Sequence, residues 1–205
     1  YLMTGSLETT NEFYALAKIA GIKLCQSIRV QHKFNSICLM PTNLYGPGDN
    51  YHELNSHVIP GLIRKFYSGK KGNLPIVKCW GSGRPLREFL FVDDLADACI
   101  FLLEKWDSKK KNIVLDQNDQ DIYWLNIGSN FEISIKDLAY KIAKIIGYQG
   151  EIKWDESKPD GTPRKKLDTS KINNIGWEAK TNLDEGLKLT YEFFKNEIKN
   201  KTIRI

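Results

Sequence analysis

Segments with helical periodicity alternate with short apolar segments along this chain, and this alternation restricts the possible folds more than any other feature. Apolar residues recur at helical spacing over 11–31, and Asn11 is suited to cap that helix. A buried strand is predicted over 35–40, ended by Pro41, and a second helix over 56–69. Alternating helices and strands are typical of α/β proteins, in which helices cover a largely parallel sheet.

The rest of the chain continues this alternation. We interpret Gly81-Ser82-Gly83 as the tight turn of a hairpin, because strand-like segments lie on both sides of it. The triplet lacks the third glycine of a dinucleotide-binding fingerprint, so it is assigned no phosphate-binding role. Ser134 is a predicted helix cap, and Gly147 a predicted helix end. The remaining predicted elements are strands over 75–80, 86–92, 123–127 and 151–154, helices over 93–105, 134–146 and 184–199, and a polar surface excursion over 109–121.

Charge and hydropathy argue against two classes of partner. The formal net charge is +5 over 205 residues, and the basic residues are spread along the chain. Nucleic-acid binding needs a basic face with interleaved aromatic residues, which the sequence does not show. A membrane partner is not expected, because no apolar run is long enough to span a bilayer. A small polyanion such as a nucleotide diphosphate fits the charge balance.

The cysteines form no close pair, and the three histidines do not complete a metal-ligand spacing with them. We therefore expect no metal site. Because most of the cysteines lie in apolar stretches, buried free thiols are predicted, as is typical of a reducing, cytoplasmic compartment. The four residues are Cys25, Cys38, Cys79 and Cys99.

Tyr14 and Lys18 are four residues apart on the first predicted helix, so their side chains share one face. A free phenol has a pKa of about 10, and a neighbouring ammonium favours the phenolate and brings that value closer to neutrality. Such a pair can donate a proton to a carbonyl oxygen as hydride reaches its carbon. The spacing also occurs by chance on many helices, where it forms a simple surface pair.

The order of motifs strengthens the functional interpretation. The Tyr/Lys helix is followed by a buried strand and then by the loop 41–47, and ligands of open α/β sheets bind just beyond the carboxyl ends of strands. This order resembles the extended short-chain dehydrogenase/reductase family. Several downstream strings resemble sugar-nucleotide enzymes of that family, and those at 56–60 and 158–165 resemble the GDP-L-fucose synthases in particular. The strings are Ser56-His57-Val58-Ile59-Pro60, Trp80-Gly81-Ser82-Gly83, Arg87-Glu88-Phe89, Val92-Asp93-Asp94 and Lys158-Pro159-Asp160-Gly161-Thr162-Pro163-Arg164-Lys165.

The resemblance covers the chain from Leu2 to about Trp177 and implies a fold. We expect the C-terminal part of a Rossmann-like extended short-chain dehydrogenase together with a smaller α/β substrate-binding domain. Residues 1–56 would be a remnant of the NADP-binding domain. Residues 57–205 would be mainly the substrate-binding domain, with a segment at about 85–106 returning to the Rossmann domain.

The resemblance also implies an activity. The GDP-L-fucose synthases epimerise C3 and C5 of GDP-4-keto-6-deoxy-D-mannose and then reduce the C4 ketone with NADPH, giving GDP-L-fucose. Tyr14, Lys18 and His57 match the family's catalytic positions, and the resemblance implies that they also contact NADP(H). The implied nicotinamide-side loop is Pro41, Thr42, Asn43 and Leu44, and the implied substrate-binding residues are Lys65, Trp80, Arg87, Lys158 and Asp160.

Structural roles remain open for several of these residues. His57 could hold a helix start through a structural hydrogen bond, and Arg87 could pair with Asp93 or Asp94. A strand tryptophan such as Trp80 more commonly packs in a core. Asp160 lies in a Pro-Asp-Gly string, so turn formation alone would explain it.

Other functions also remain open. A related nucleotide-sugar 4-epimerase or 4,6-dehydratase would retain Tyr14, Lys18 and Arg87 but would not need His57. A non-catalytic sugar-nucleotide-binding or dimerisation module is the alternative from another class. The Gly-rich turn, the catalytic serine and the cysteine of the implied family are absent, so we expect an inactive piece of a longer homodimeric protein.

Overall fold

The computed structural model describes residues 5–106 and 123–204, which form α/β architecture as predicted. A 3-10 turn at Thr9–Asn11 precedes the first helix. The helices of the described part are α1 Glu12–His32, α2 Val58–Lys71, α3 Val92–Lys105, α4 Ile135–Ile146, α5 Ser170–Ile175 and α6 Leu183–Asn200. The strands are β1 Cys38–Pro41, β2 Asn43–Tyr45, β3 Ile76–Trp80, β4 Leu86–Phe91, β5 Trp124–Ile127, β6 Glu132–Ser134, β7 Glu151–Asp155 and β8 Arg164–Lys165.

Strand β4 has the most pairing partners among the described strands. It pairs in parallel with β2 and β8 and antiparallel with β6. The register aligns Asn43 of β2 with Phe89, and Lys165 of β8 with Arg87. Separately, β1 pairs in parallel with β5, and β3 pairs in parallel with β7. Residues distant in sequence thus meet along β4.

The predicted hairpin between β3 and β4 is wrong. Strand β3 pairs with β7, and its alternate residues Val77 and Cys79 face the core. The backbone N–H of Gly81 extends that alignment by donating to the carbonyl of Asp155 at 2.9 Å. Gly81 and Gly83 have φ values of +77° and +75°, which glycine adopts without steric cost, so the connection turns the chain out of one sheet into another.

The described residues form two hydrophobic cores. In the first, α2, α4 and α6 pack their apolar faces together, with Phe66, Leu138 and Phe194 fully buried. The second joins β4 and β5 to α3 and α5 around Leu90 and Ile127. The predicted division at residue 56 stays a prediction.

Three other sequence predictions need correction or completion. Residues 43–45 were expected to be turn and instead form β2, because they pair with β4. The predicted burial of the cysteines holds for Cys79 alone of the four. Cys25 and Cys38 are partly exposed and Cys99 is exposed on α3, and the four thiols are free as predicted. The short elements β6, β8 and α5 were not predicted, because each is too short to show a period. The predicted excursion over 109–121 lies outside the described residues.

Two features are absent from these same described ranges. No helix there is both long and apolar enough to cross a bilayer. No group of three or more His, Cys, Asp or Glu side chains is arranged there to hold a metal ion.

Helix α4 begins and ends as its sequence predicts. The hydroxyl of Ser134 accepts a hydrogen bond from the backbone N–H of Asp137 at 3.0 Å, which satisfies one of the unpaired donors of the first turn. Gly147 ends the helix in the left-handed conformation at φ +77°, and its N–H donates to the carbonyl of Ala143. The buried face of α4 therefore has fixed ends.

Loss of the Ser134 cap should destabilise the fold. We expect Ser134→Ala to lower the free energy of unfolding by about 1 kcal/mol, measured by urea denaturation. Ser68→Ala is the matched control, because Ser68 is exposed inside α2 and alanine is the better helix former there. Equal stability of Ser134→Ala and the parent protein would contradict the assigned cap.

Candidate active site

Tyr14 and Lys18 share one face of α1, as predicted. The ammonium nitrogen Nζ of Lys18 lies 5.3 Å from the centroid of the Tyr14 ring. The Tyr14 side chain is 60% exposed and borders a cavity of about 730 Å³. A phenol that reaches a cavity of this size, with a cation beside it, is placed to exchange a proton with a bound ligand.

This first cavity lies beyond the carboxyl end of β1. All four residues of the predicted nicotinamide-side loop line it, and so does His57. Its volume lies within the range of about 300–1,000 Å³ usual for small-molecule sites. Asp49 and Lys165 also line the cavity, although the sequence had not indicated a site role for either. The lining includes Tyr14, Pro41, Thr42, Asn43, Leu44, Asp49, His57 and Lys165.

The segment that leads from the end of β1 into β2 is held by a backbone carbonyl of β4. The side-chain amide of Asn43 donates to the carbonyl of Glu88 at 2.8 Å, and the Thr42 hydroxyl donates to the same oxygen at 3.2 Å. Thr42 is buried, whereas Asn43 is only partly so. These bonds fix the orientation of the loop before any ligand arrives.

His57 occupies the N-cap position of α2, but its side chain makes no capping hydrogen bond. This removes the helix-capping explanation for the residue. The imidazole is exposed and borders both the first cavity and a neighbouring one of about 240 Å³. The Asp49 carboxyl also lines the first cavity, and its partial burial raises its pKa, an effect that the nearby His57 and Arg204 oppose.

Arg87 and Trp80 border a third cavity, of about 200 Å³, together with Asp160. Desolvation by partial burial lowers the pKa of the Arg87 guanidinium, which is partly opposed by the nearby Asp160. Asp94, one of the two acidic residues considered as an ion-pair partner of Arg87, accepts hydrogen bonds from the backbone N–H and the hydroxyl of Thr181.

Trp80 does not pack in the core. Its side chain is 51% exposed at the end of β3. Nζ of Lys65 lies 4.8 Å from its ring centroid, and Nζ of Lys158 lies 5.9 Å from it. Partial burial lowers the pKa of Lys65. An exposed indole with two ammonium groups beside it can hold a planar, negatively charged ligand.

The three cavities are adjacent, because they share lining residues. Val58 borders all three, and Asn43 and Phe89 border both the first and the third. Tyr14, His57 and Arg87 therefore line neighbouring cavities. Here "the groove" means these three cavities together.

A buried carboxylate that the sequence did not reveal supports the groove from behind. Glu88 is 0% exposed. Its Oε1 accepts from the backbone N–H of Asn130 at 2.8 Å, and its Oε2 accepts from the N–H of Leu167 at 3.0 Å. In the sequence Glu88 was only part of a family string, and its neighbours at 130 and 167 cannot be found from local spacing.

The model of the NAD dependent epimerase/dehydratase family matches residues 1–116, and this chain belongs to that family. GDP-L-fucose synthase 1 of Arabidopsis thaliana is 48% identical over 200 residues, which are 98% of this chain and 58% of that protein. The GDP-L-fucose synthase of Escherichia coli (strain K12) is 47% identical over 193 residues, which are 94% of this chain and 59% of that protein. The family expected from the motifs is thus confirmed.

A solved structure agrees with the observed fold. A GDP-L-fucose synthetase from Naegleria fowleri bound to NADP matches with a TM-score of 0.82 at 26% identity, over 99% of this chain and 61% of that one. The Rossmann-like short-chain dehydrogenase fold is confirmed by this match. The chain spans about three fifths of the length of the relatives that it matches.

Removal of the Glu88 carboxylate should destabilise the protein strongly. We expect Glu88→Ala to cost about 2 kcal/mol or more of unfolding free energy, because two partly buried backbone N–H groups lose their acceptor and a fully buried side chain is truncated. Glu88→Gln should cost less, since it keeps one accepting oxygen. Urea denaturation provides the measurement, and Glu151→Ala, at an exposed position of β7, is the control with a change below about 0.5 kcal/mol. A Glu88→Ala loss as small as that of the control would refute this role.

Proposed function

We propose that this chain carries the acid/base and nucleotide-binding residues of an NADP-dependent enzyme that converts GDP-4-keto-6-deoxy-D-mannose to GDP-L-fucose. The conversion consists of epimerisation at C3 and C5 followed by reduction of the C4 ketone. One observation carries the proposal. Tyr14, His57 and Arg87 line adjacent cavities of the groove in a chain that is 47–48% identical to GDP-L-fucose synthases.

The residues of the first cavity fit a nicotinamide cofactor. The cavity has room for a ring and its ribose. Lys18 is not among the residues that line it, and its ammonium would approach ribose hydroxyls from beside Tyr14. Residues 41–44 provide one wall, which the Glu88 carbonyl holds in place. When bound, NADPH supplies the hydride for C4. Tyr14 gives its phenolic proton to the C4 oxygen, so that an alkoxide need not accumulate.

His57 suits the epimerisation. The hydrogens at C3 and C5 flank the C4 ketone, so removal of either leaves a stabilised enolate. Inversion at each carbon needs a base on one face and an acid on the other. An imidazole can accept and release a proton near neutral pH. Its position between the first cavity and the 240 Å³ cavity lets His57 serve one face of the sugar.

The far end of the groove suits the GDP part of the substrate. Arg87 offers a planar fork of N–H donors for a diphosphate. Lys65 and Lys158 add positive charge beside the exposed face of Trp80, on which a base or ribose can pack. Asp160 borders the same cavity. The nucleotide would thus be held while the sugar reaches Tyr14 and His57.

We further propose that the full-length protein is a cytoplasmic homodimer. Large apolar side chains are exposed on α1 and α3, among them Phe13 at 87% and Leu103 at 83% exposed, and such patches are typical of protein interfaces. The four free cysteines suit a reducing compartment.

The role of His57 can be tested in the full-length protein. In D₂O, we expect the parent enzyme to incorporate deuterium at C3 and C5 of the keto-sugar, as followed by NMR. His57→Asn should slow this exchange by about 100-fold or more, because a general acid/base is lost. His32→Asn, at the exposed end of α1, is the control and should exchange at the parent rate.

The same assay discriminates the alternatives. Full-rate exchange by His57→Asn would show that His57 is not the acid/base. Absence of exchange at C3 in a parent enzyme that still turns over a nucleotide sugar would favour a 4-epimerase or 4,6-dehydratase. A parent protein that binds GDP but neither exchanges these hydrogens nor oxidises NADPH would favour a non-catalytic binding module.

A further inference from the structure

Residues 156–163, here called the strap, join β7 to β8 and pass beside the connection between β3 and β4. Both ends of the strap are fixed by backbone hydrogen bonds. The N–H of Lys158 donates to the carbonyl of Asp155 at 3.1 Å, and the N–H of Leu86 donates to the carbonyl of Pro163 at 2.9 Å. The middle of the strap depends on side-chain contacts for its position.

The middle is held by one side chain, Asp160. Its Oδ1 accepts from the backbone N–H of Ser82 at 2.6 Å, and its Oδ2 accepts from the Ser82 hydroxyl at 2.7 Å. Both carboxylate oxygens are therefore engaged across 78 positions of sequence. The Ser82 hydroxyl in turn accepts from the backbone N–H of Arg84 at 3.2 Å.

The backbone is shaped for this contact. Gly81 has a φ of +77°, and a Cβ at this position would collide with Oδ1 of Asp160. The glycine thus serves the turn and also the close approach of the carboxylate. The Ser82 hydrogen bonds lower the pKa of Asp160, with a further contribution from Arg84 and Arg87, so the carboxylate is ionised at neutral pH.

The strap and the turn form two sides of the cavity that holds Arg87. Trp80 and Gly83 come from one side, Pro159 and Asp160 from the other, and Arg87 lies between them on β4. Lys158, also on the strap, is close to the Trp80 ring. A displacement of the strap would therefore move Lys158 away from Trp80 and widen the Arg87 cavity.

We propose that Ser82 and Asp160 form a latch that holds the strap against the β3–β4 connection, so that Asp160 is a positioning residue of the nucleotide site. The proposal rests on the proposed function for the identity of the ligand. The latch, rather than a direct contact between Asp160 and a sugar hydroxyl, fixes the distance between the Lys158 ammonium, the Trp80 ring and the Arg87 guanidinium. Because the pair is exposed to water, its loss should loosen the strap without unfolding the protein.

The latch itself is tested without ligand. In the full-length protein, amide hydrogen exchange at residues 82–86 is measured by NMR. We expect Ser82→Ala to speed exchange there about threefold to tenfold, which is the change that loss of one hydrogen bond brings. Ser82→Thr keeps the hydroxyl and should restore the parent rate. Unchanged exchange in Ser82→Ala would overturn the latch.

The effect on the site is tested by calorimetric titration with GDP. We expect Ser82→Ala and Asp160→Ala each to raise the Kd for GDP about threefold to tenfold. The double variant should bind no more weakly than Asp160→Ala, because Asp160→Ala already removes both hydrogen bonds to Ser82, including the one that Ser82→Ala removes. Ser157→Ala is the matched control. Its hydroxyl donates to Asp155 at 2.6 Å within the same region without bridging strap and turn, so GDP affinity should stay within twofold.

The outcomes separate this proposal from the proposed function. A Kd raised by Asp160→Ala but not by a Ser82→Ala variant whose amide exchange is faster would show a direct ligand contact of Asp160 and overturn its positioning role. Losses of GDP affinity that add up in the double variant would also overturn it. If the parent protein does not bind GDP at all, the proposed function fails, while the exchange measurement still decides whether the latch exists.

Discussion

The buried carboxylate of Glu88 is the interaction on which the site depends most. It lies in the middle of β4, accepts from backbone N–H groups at 130 and 167, and is fully buried. The carbonyl of the same residue accepts from Thr42 and Asn43. One residue therefore ties the loop after β1 to the segments that follow β5 and β8. A carboxyl group buried at this depth needs hydrogen-bond partners, and each of its two oxygens has one.

The position of Glu88 also explains how the groove is assembled. Successive residues of a strand point to opposite faces, so Arg87 can border the third cavity while Glu88 is fully buried. Parallel pairing with β2 then places Asn43 next to Phe89, and both residues border the first and third cavities. The proposed nucleotide site and the proposed catalytic site are consequently joined through the pairing of two strands, rather than through a flexible loop.

The sequence carried local features reliably. Three local predictions were confirmed: the Ser134 cap, the Gly147 helix end and the shared face of Tyr14 and Lys18. Each depends on residues only a few positions apart in the sequence. The β3–β4 hairpin was wrong because strand pairing is decided at long range. The partner of β3 is β7, some seventy residues further along the chain. Neither the burial of Glu88 nor the latch to Ser82 could be predicted, since each requires partners that only the fold brings close.

If Tyr14, His57 and Arg87 act on one bound molecule, a crystal structure of the full-length protein with GDP-L-fucose and NADP⁺ will show all three beside it. We expect diphosphate oxygens at roughly 3 Å from the Arg87 guanidinium, with the C4 hydroxyl of the sugar within hydrogen-bond reach of the Tyr14 phenol and His57 beside the sugar ring. A nucleotide bound outside the groove, or a sugar directed away from both Tyr14 and His57, would contradict it.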